Sequence, residues 1–511
     1  MRTTVQGGAG HSVSVIISAM YTTHHLQKMV EVSQQLGSAD IVVAAASHLI
    51  PEIPTPVRAK TRMVPVEPEQ QINPFSGRAL AASHARGAVL LFLGEDRFYS
   101  AMELQRFLFP ILHGRVQVLL SCEGRRHHRS RTTLPLHSLI LFFHELLGRT
   151  DLGTASLFGT PHAITQVALR RISTELLQHP AHALYQWIKT GVRIGAQPVE
   201  PMRDAIPYNP QLYGAIQGEC SFFEKAVIRE QIDFAASLPK RNGLTDGRWR
   251  REELFQQPLP ERAQPRTTVE KGSRLSVIIP ARDEAGTIEA VIREVKLLNP
   301  QEVIVVVNGS RDGTAAKARA CGGVTVEFAH PLGVDSGRAV GASIAAGDIL
   351  LFVDADFVLP AQDLYPFVYG CEQGIDLALN DQSAFFESHS GNVIVAARQA
   401  LTFVADRKDL GTGSMLAVPF ALRKAAFATL GWSLLACPPL AQMAALKEGL
   451  RVELVHAVDS FALNRFRPEK HLARRGHAPA VEQIMGDHIE AIQYWHGRVR
   501  QQGAGSNQAA L

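Results

Sequence analysis

Cysteine is scarce in this sequence of 511 residues: there are five, and no CxxC pair occurs. An odd, dispersed set argues against a disulfide framework or a zinc site and is typical of a reducing compartment. No run approaches the ~18 consecutive apolar residues of a membrane-spanning helix. The N-terminal segment is also too polar for a signal peptide. We therefore expect a cytoplasmic protein without an integral membrane segment, and peripheral attachment stays open.

Charge of one sign is not in large excess either, because the net charge is only +4 over the whole chain. Two basic clusters occur, RRHHRSR (125–131) and RFRPEKHLARR (465–475). Nucleic-acid binding would require interleaved stacking aromatics and a stronger net charge, so we expect no nucleic-acid partner. The length exceeds what one hydrophobic core usually supports, which predicts at least two domains.

The sequence contains an internal repeat. Residues 76–98 and 336–358 are identical at 12 of 23 positions, VSVIISA (13–19) resembles LSVIIPA (275–281), and DLGT occurs at 151 and at 409. A repeat of about 260 residues indicates two domains rather than a solenoid, whose units span 20–50 residues. We interpret it as a tandem duplication. The predicted boundaries are a first domain at 1–238, a polar linker at 239–273, a second domain at 274–495 and a flexible tail at 496–511.

Each copy alternates apolar, β-branched runs with helical patterns. In the second copy, RLSVIIPA, EVIVVVN and DILLFVDA are buried-strand patterns separated by helices. Such an alternation is typical of an α/β fold with a mostly parallel, Rossmann-like sheet and helices on both faces. Ligands of these folds bind at the carboxyl ends of the strands, so the residues just beyond those ends are the candidates.

The polar residues at the strand ends of the second copy are Asp283 and Glu284, then Asn308 and Asp312, then Asp354 and Asp356. Two carboxylates spaced i, i+2 can hold one divalent cation that also bridges a diphosphate. Arg338, at the start of a helix, can face a phosphate. Each feature also has a structural interpretation, as a helix-opening acid, a turn or a surface ion pair.

The motifs LSVIIPARDEAGTIEAVI, EVIVVVNGSRDGTA and GRAVGASIAAGDILLFVDADF together resemble the nucleotide-sugar-binding half of family 2 glycosyltransferases of the GT-A fold. The resemblance implies a hexosyltransferase with a UDP- or GDP-type nucleotide sugar as co-substrate and Mn²⁺ or Mg²⁺ as cofactor. It places Asp354 and Asp356 on the metal-binding DxD motif and Arg338 near the diphosphate. The donor-binding set would comprise Pro280, Asp283, Glu284, Asn308, Asp312 and Arg338.

Two departures from the family pattern concern the contact with the nucleobase of the donor and the catalytic carboxylates. Val307 and Asn308 replace an acidic pair after the second strand, and Cys437–Pro438 occupies the place of the Glu-Asp pair before GLRV. The general base is therefore unassigned, with Asp381 and Asp409 as alternatives. A retaining mechanism, as in related synthases of glycosylglycerates, would need no such base. In that case His456 or His471 would complete the metal shell.

The first copy keeps the strand pattern and Arg78 but has Tyr21 and Thr22 in place of the acids, and Gly94 in place of Asp354. We interpret it as a degenerate copy without catalysis, unless Glu95 and Asp96 hold a metal in another geometry.

Three functions compete. The first is a glycosyltransferase acting on an unknown acceptor (a glycan, a lipid-linked or a small molecule). The second is an inactive nucleotide-sugar-binding or scaffold protein of the same fold. The third, a nucleotidyltransferase, is disfavoured because ARDEAGT lacks the repeated glycines of a phosphate loop.

Overall fold

The structure is a computed structural model that describes residues 12–70, 73–95, 97–123, 135–202, 220–247, 249–256, 259–260, 275–386, 392–463 and 477–506. The chain divides into two compact units, Met1–Phe234 and Ala235–Leu511.

Each unit contains one seven-stranded sheet. The strands of the first unit are β1 (Val13–Ala19), β2 (Asp40–Ala46), β3 (Arg62–Val66), β4 (Val89–Gly94), β5 (Val118–Glu123), β6 (His162–Thr165) and β7 (Ile194–Val199). Those of the second unit are β8 (Leu275–Ala281), β9 (Glu302–Asn308), β10 (Val324–Phe328), β11 (Ile349–Phe352), β12 (Leu377–Asn380), β13 (Phe420–Arg423) and β14 (Val452–His456).

The two sheets have the same strand order, β3-β2-β1-β4-β6-β5-β7 and β10-β9-β8-β11-β13-β12-β14. In each sheet one strand, β6 or β13, is antiparallel to both neighbours, and the other pairings are parallel. The structure therefore confirms the predicted fold class: two α/β units, each with a mostly parallel, Rossmann-like sheet and flanking helices.

Helices connect and flank the strands. In the first unit they are α1 (Leu26–Gln35), α2 (Thr55–Arg58), α3 (Ser76–His84), α4 (Ala101–Leu112), α5 (Pro135–Leu146), α6 (Gln166–Leu169), α7 (Pro180–Lys189) and α8 (Phe222–Ser237), the last ending just beyond the unit boundary. In the second unit they are α9 (Ile288–Lys296), α10 (Thr314–Ala320), α11 (Ser336–Ile344), α12 (Ala361–Glu372), α13 (Val393–Val404), α14 (Lys424–Ala428), α15 (Pro438–Lys447), α16 (Ser460–Leu463) and α17 (Pro479–Ser506).

Short 3-10 helices occur in the connections. They are Ser47–Glu52, Pro68–Gln70, Thr150–Leu152, Thr174–Gln178, Arg251–Phe255, Ser383–Phe386, Lys408–Leu410 and Trp432–Ala436.

Both faces of each sheet are covered. In β1, Val15 and Ile17 belong to one core cluster while Ile16 belongs to another, as expected because successive side chains point to opposite faces. Continuous apolar strands are therefore the pattern that this fold requires.

One helix of each unit lies very close to the sheet. A Cβ added at Gly337 of α11 would lie 2.8 Å from Cβ of Pro280, and one added at Gly77 of α3 would lie 2.9 Å from Sδ of Met20. The glycine of the SGRA segment is therefore required by the close approach of the helix to the central strand.

Part of the segment interpreted as a linker packs within the second unit. Arg241 and Arg251 form ion pairs with Asp487 and Glu490 of α17, and Leu254 is buried. The helix α17 continues to Ser506, into the segment interpreted as a tail. Among the described residues, no helix is long and apolar enough to cross a membrane.

Candidate active site

The carboxyl ends of β8, β9, β11, β12 and β14 meet at one edge of the second sheet, because these strands are parallel to one another. Most of the residues predicted from the sequence follow these ends.

The loop after β8 is fastened to the loop after β9. The backbone N–H of Asp283 donates to the Ser310 hydroxyl at 3.0 Å, and the N–H of Arg311 donates to the Asp283 carboxylate at 2.9 Å. Asp283 has φ +55°, a left-handed conformation that Asp tolerates better than most residues. Its side chain is about half exposed (52%), so it is still accessible to a ligand.

Glu284 and Asp312 also fasten these two loops to each other. The N–H of Glu284, a buried residue, donates to the Thr314 hydroxyl at 2.9 Å. Asp312 accepts from the backbone N–H groups of Ala285 and Thr314, each at 3.0 Å, and from the Thr314 hydroxyl. Burial alone would raise the pKa of Asp312, but these hydrogen bonds lower it. Asp312 therefore has a structural task at the start of α10.

Asn308 uses both ends of its amide on the loop before α11. Its Nδ2 donates to the Gly333 carbonyl at 2.5 Å, and its Oδ1 accepts from the N–H of Leu332 at 2.7 Å. Because the side chain is buried and engaged in this way, it holds the loop in place.

Arg338 links α11 to the end of β11. Its guanidinium binds Asp335, one turn earlier in the chain, and donates to Oδ1 of Asp354 at 3.1 Å. The side chains of Arg338 and Asp335 are only 6% and 4% exposed, whereas that of Asp354 is 31% exposed. Burial by itself would lower the pKa of Arg338, but the two carboxylates raise it, so the group stays charged.

The segment Asp354–Asp356 is also tied to the first loop. The Thr287 hydroxyl donates to the Ala355 carbonyl at 2.6 Å and to a Glu284 carboxylate oxygen at 3.4 Å. Asp356, like Asp354, is partly exposed. The structure therefore brings Asp283, Glu284, Arg338 and the two aspartates into one set of interlocked loops.

The two carboxylates considered as general base lie at opposite edges of the sheet. Asp381 directly follows β12, and its N–H donates to the carbonyl of His456, the last residue of β14. Asp409 is ion-paired with Arg407, which donates to the carbonyl of Val452, the first residue of β14. The five residues of β14 separate these anchor points by about 13 Å. The structure thus brings Asp381, but not Asp409, to the edge that carries Asp354.

The ion pair of Asp409 has a counterpart in the first unit. There Arg149 binds Asp151 and donates to the Ile194 carbonyl, the first residue of β7, at 2.8 Å. A contact present in both units, including the one without the DxD aspartates, points to a structural purpose.

The residue that stands in place of the family's Glu-Asp pair, Cys437, is not accessible from the surface. Cys437 precedes α15, is buried, and its Sγ lies 4.0 Å from the Asp487 carbonyl of α17. Burial raises the pKa of this thiol well above its usual range, so it is not a base. His456 lies at the carboxyl end of β14 with its Nε2 3.6 Å from Asp363, and His471 lies outside the described residues.

The same edge of the first sheet is built differently. Glu95 is buried and accepts from the backbone N–H groups of Tyr21 and Thr22, both at 2.9 Å. Arg78, the counterpart of Arg338, donates to the carbonyls of Leu157 and Phe158. Glu95 is thus used to hold the loop after β1, while Asp96 lies outside the described residues.

Two residues of the second site were not anticipated from the sequence. Asp335 was missed although its i, i+3 spacing to Arg338 is that of neighbours on a helix. Thr287 was missed because no local pattern shows that its hydroxyl reaches a carbonyl 68 residues away.

Comparison with known proteins agrees with this location. Residues 276–392 match the sequence model of Glycosyl transferase family 2. The chain is 36% identical over 109 residues to a glucosyl-3-phosphoglycerate synthase of Mycolicibacterium paratuberculosis, covering 19% of this chain and 33% of that protein. It is 27% identical over 141 residues to an undecaprenyl-phosphate 4-deoxy-4-formamido-L-arabinose transferase of Serratia proteamaculans, covering 25% of this chain and 43% of that protein.

A solved structure was also found, the glucosyl-3-phosphoglycerate synthase of Mycobacterium tuberculosis in complex with Mn²⁺, UDP and glucosyl-3-phosphoglycerate. It aligns at 21% identity with a TM-score of 0.30, covering 41% of this chain and 81% of that one. The sequence alignments span less than half the length of either curated relative. The family match nevertheless includes the loops after β8, β9 and β11, so the part of this chain that is similar to Glycosyl transferase family 2 is residues 276–392.

Proposed function

We propose that the second unit is a metal-dependent hexosyltransferase that moves a sugar from a UDP- or GDP-type nucleotide sugar to an acceptor. The observation that carries this proposal is the position of Asp354 and Asp356. They follow β11 inside the family match, one is bound to the buried Arg338, and the carbonyl between them is bound to Thr287.

The two aspartates fit a hard divalent cation. Carboxylate oxygens are the ligands that Mg²⁺ and Mn²⁺ prefer, and Mg²⁺ is usually held by one or two carboxylates together with substrate phosphates and water. Within the described ranges, no third His, Cys, Asp or Glu joins them in a metal-binding group. Asp354 and Asp356 would therefore hold the cation together with the diphosphate of the donor. When bound, the cation supplies charge stabilisation to the departing nucleoside diphosphate.

The remaining residues have separate tasks in this proposal. Asp283, exposed on its loop, contacts the nucleoside, while Glu284, Asn308 and Asp312 keep the surrounding loops in position. Arg338 orients Asp354 through their hydrogen bond. Asp381 is the carboxylate that we assign to the acceptor side, because it lies at the same edge of the sheet.

The names of the relatives suggest which acceptors to try first. One name contains phosphoglycerate and the other undecaprenyl phosphate. We therefore include a phosphorylated small acid and a prenyl phosphate as acceptors.

A second function, nucleotide-sugar binding without turnover, is favoured by the burial of Cys437, which stands where the family pattern implied by the resemblance has a Glu-Asp pair. Both functions require the donor site, so the test must separate binding from transfer.

The test is a hydrolysis and transfer screen with UDP-glucose, UDP-galactose, UDP-N-acetylglucosamine and GDP-mannose, each with Mn²⁺, with Mg²⁺ or with EDTA. 3-Phosphoglycerate and undecaprenyl phosphate serve as acceptors. We expect turnover of one donor with metal, at least 100-fold loss in Asp356→Ala, and no change in Glu327→Gln, an exposed ion-paired residue of β10. Metal-dependent donor binding without turnover would support the second function, and turnover in EDTA would contradict the proposed metal.

A further inference from the structure

The first unit contains a cavity of about 540 Å³ at the carboxyl edge of its sheet. It is lined by residues from the ends of β1, β4 and β7, among them Ser18, Gly94 and Val199. A volume between about 300 and 1,000 Å³ is usual for small-molecule sites. The unit interpreted as degenerate therefore has room for a ligand at the position where this fold class binds ligands.

One wall of the cavity is aromatic. Phe75 lies between two other rings, with centroid distances of 5.5 Å to Phe158 and 6.0 Å to Phe223, and Tyr21 lines the same cavity. Tyr21 and Phe223 are only partly buried. Aromatic rings of this kind bind the C–H face of a sugar or a planar base through apolar contact.

The rest of the lining is rich in hydroxyl groups. The serine and threonine residues that contribute to it are Ser18, Ser121, Thr154, Ser156, Thr160 and Ser221. Within the described part of the chain, the buried Ser18 hydroxyl has no hydrogen-bond partner. Hydroxyls both donate and accept, which matches the hydroxyls of a carbohydrate.

The charged groups of the described lining do not favour a diphosphate. They are Arg78, Arg97, Glu95 and Glu224, whose formal charges cancel. Glu95 already accepts two backbone N–H bonds and Glu224 one, from Ser221 at 2.8 Å. Gly94 stands where the second unit has a metal-binding candidate, so the cation that would neutralise a diphosphate lacks that ligand.

We propose that this cavity binds a neutral sugar, as a free glycoside or as part of a glycan, without a metal ion. The aromatic wall would pack against the C–H face of the ring, and the hydroxyl-rich walls would bind its hydroxyls. This proposal goes beyond the proposed function, since it concerns the other unit and does not depend on sugar transfer.

Saturation-transfer NMR on the full chain in EDTA tests the proposal. The probes are the methyl glycosides of glucose, mannose, galactose, N-acetylglucosamine and xylose, with UDP and glucose 1-phosphate for comparison. We expect transfer to at least one neutral glycoside, and an affinity about tenfold lower in Tyr21→Ala and in Phe223→Ala. Phe109→Ala, which removes an exposed ring of α4 outside the cavity, should bind like the wild type.

A second readout needs no substitution. Cys122 lines the cavity, whereas Cys321, also partly exposed, lies in the second unit. A bound glycoside should slow alkylation of Cys122 by N-ethylmaleimide at least threefold and leave Cys321 unchanged. The proposal is overturned if all five glycosides fail to bind, if the charged probes bind better in EDTA, or if the sugar leaves Cys122 unprotected.

Discussion

The two units surround the arginine of the SGRA segment with different side chains. In the second unit the arginine of the SGRA segment binds a buried aspartate three residues earlier, Asp335, and the exposed Asp354. In the first unit the residue three positions earlier is Phe75, and the guanidinium of Arg78 lies 4.9 Å from its ring centroid. The arginine is kept in both units, so it serves the scaffold. Its surroundings differ, with two carboxylates in the second unit and an aromatic ring with backbone carbonyls in the first.

The largest effect that separates the units is expected from removing these arginines. Arg338→Met leaves the buried Asp335 without its cation and should destabilise the second unit by about 3–5 kcal/mol. In the first unit no acid stands at the equivalent of position 335. Arg78→Met removes the donor from the carbonyls of Leu157 and Phe158 and should cost about 1–3 kcal/mol. Urea unfolding combined with hydrogen exchange and mass spectrometry assigns each loss to its unit.

A double variant provides the control. Asp335→Asn combined with Arg338→Met should be more stable than Arg338→Met alone, because the unpaired charge is gone. If the two substitutions were simply additive, the ion pair would not be the source of the difference.

The second difference concerns acid sensitivity. His162 of β6 stacks on Phe92 with centroids 4.7 Å apart, where the second unit stacks Phe420 on Phe352 at 4.5 Å. Burial, with a further contribution from Arg78, lowers the pKa of His162 to about 3. The unfolded chain takes up this proton near pH 6.5 and the folded chain only near pH 3. His162 therefore costs the first unit about 1.4 kcal/mol of stability for each pH unit between these values as pH falls.

His162→Phe, which copies the second unit, should reduce this acid dependence. Unfolding free energies of the first unit at pH 6.5 and 5.0, measured by hydrogen exchange, provide the comparison. An unchanged slope in the variant would mean that His162 is already charged in the folded state.

The smallest expected difference between the units concerns helix packing. Gly337→Ala places a methyl group against the rigid ring of Pro280 and should cost about 1–3 kcal/mol. Gly77→Ala meets Met20 Sδ and Ser18 Oγ at 2.9 Å and Ala44 Cβ at 3.2 Å. It should cost less, because its two closest contacts are side-chain ends that can shift. Thermal unfolding of the two variants checks this order, and a larger loss in Gly77→Ala would contradict it.

The sequence was sufficient for the fold because its information is local. Runs such as EVIVVVN predict a strand buried on both faces, and β9 is that strand. The position of Asp354 and Asp356 was predictable for the same reason, since they directly follow an apolar run and parallel strands end at one edge.

Other features depend on contacts that no local pattern encodes. Asp409 and Asp381 look equally suitable in the sequence, but only the topology assigns them to opposite edges of the sheet. The amide of Asn308 is occupied by a loop 24 and 25 residues later. The first unit has no acids at positions 21, 22 and 94, and the sequence therefore suggested that a binding site had been lost. The structure shows instead that Tyr21 lines a cavity.

Calorimetry of UDP with Mn²⁺ tests most directly the claim that only the second unit has a metal-dependent nucleotide site. We predict one binding event per chain, abolished in Asp356→Ala and unchanged in Glu95→Gln, because Glu95 serves the backbone of the first unit. Two binding events per chain, or equal loss in both variants, would contradict this assignment.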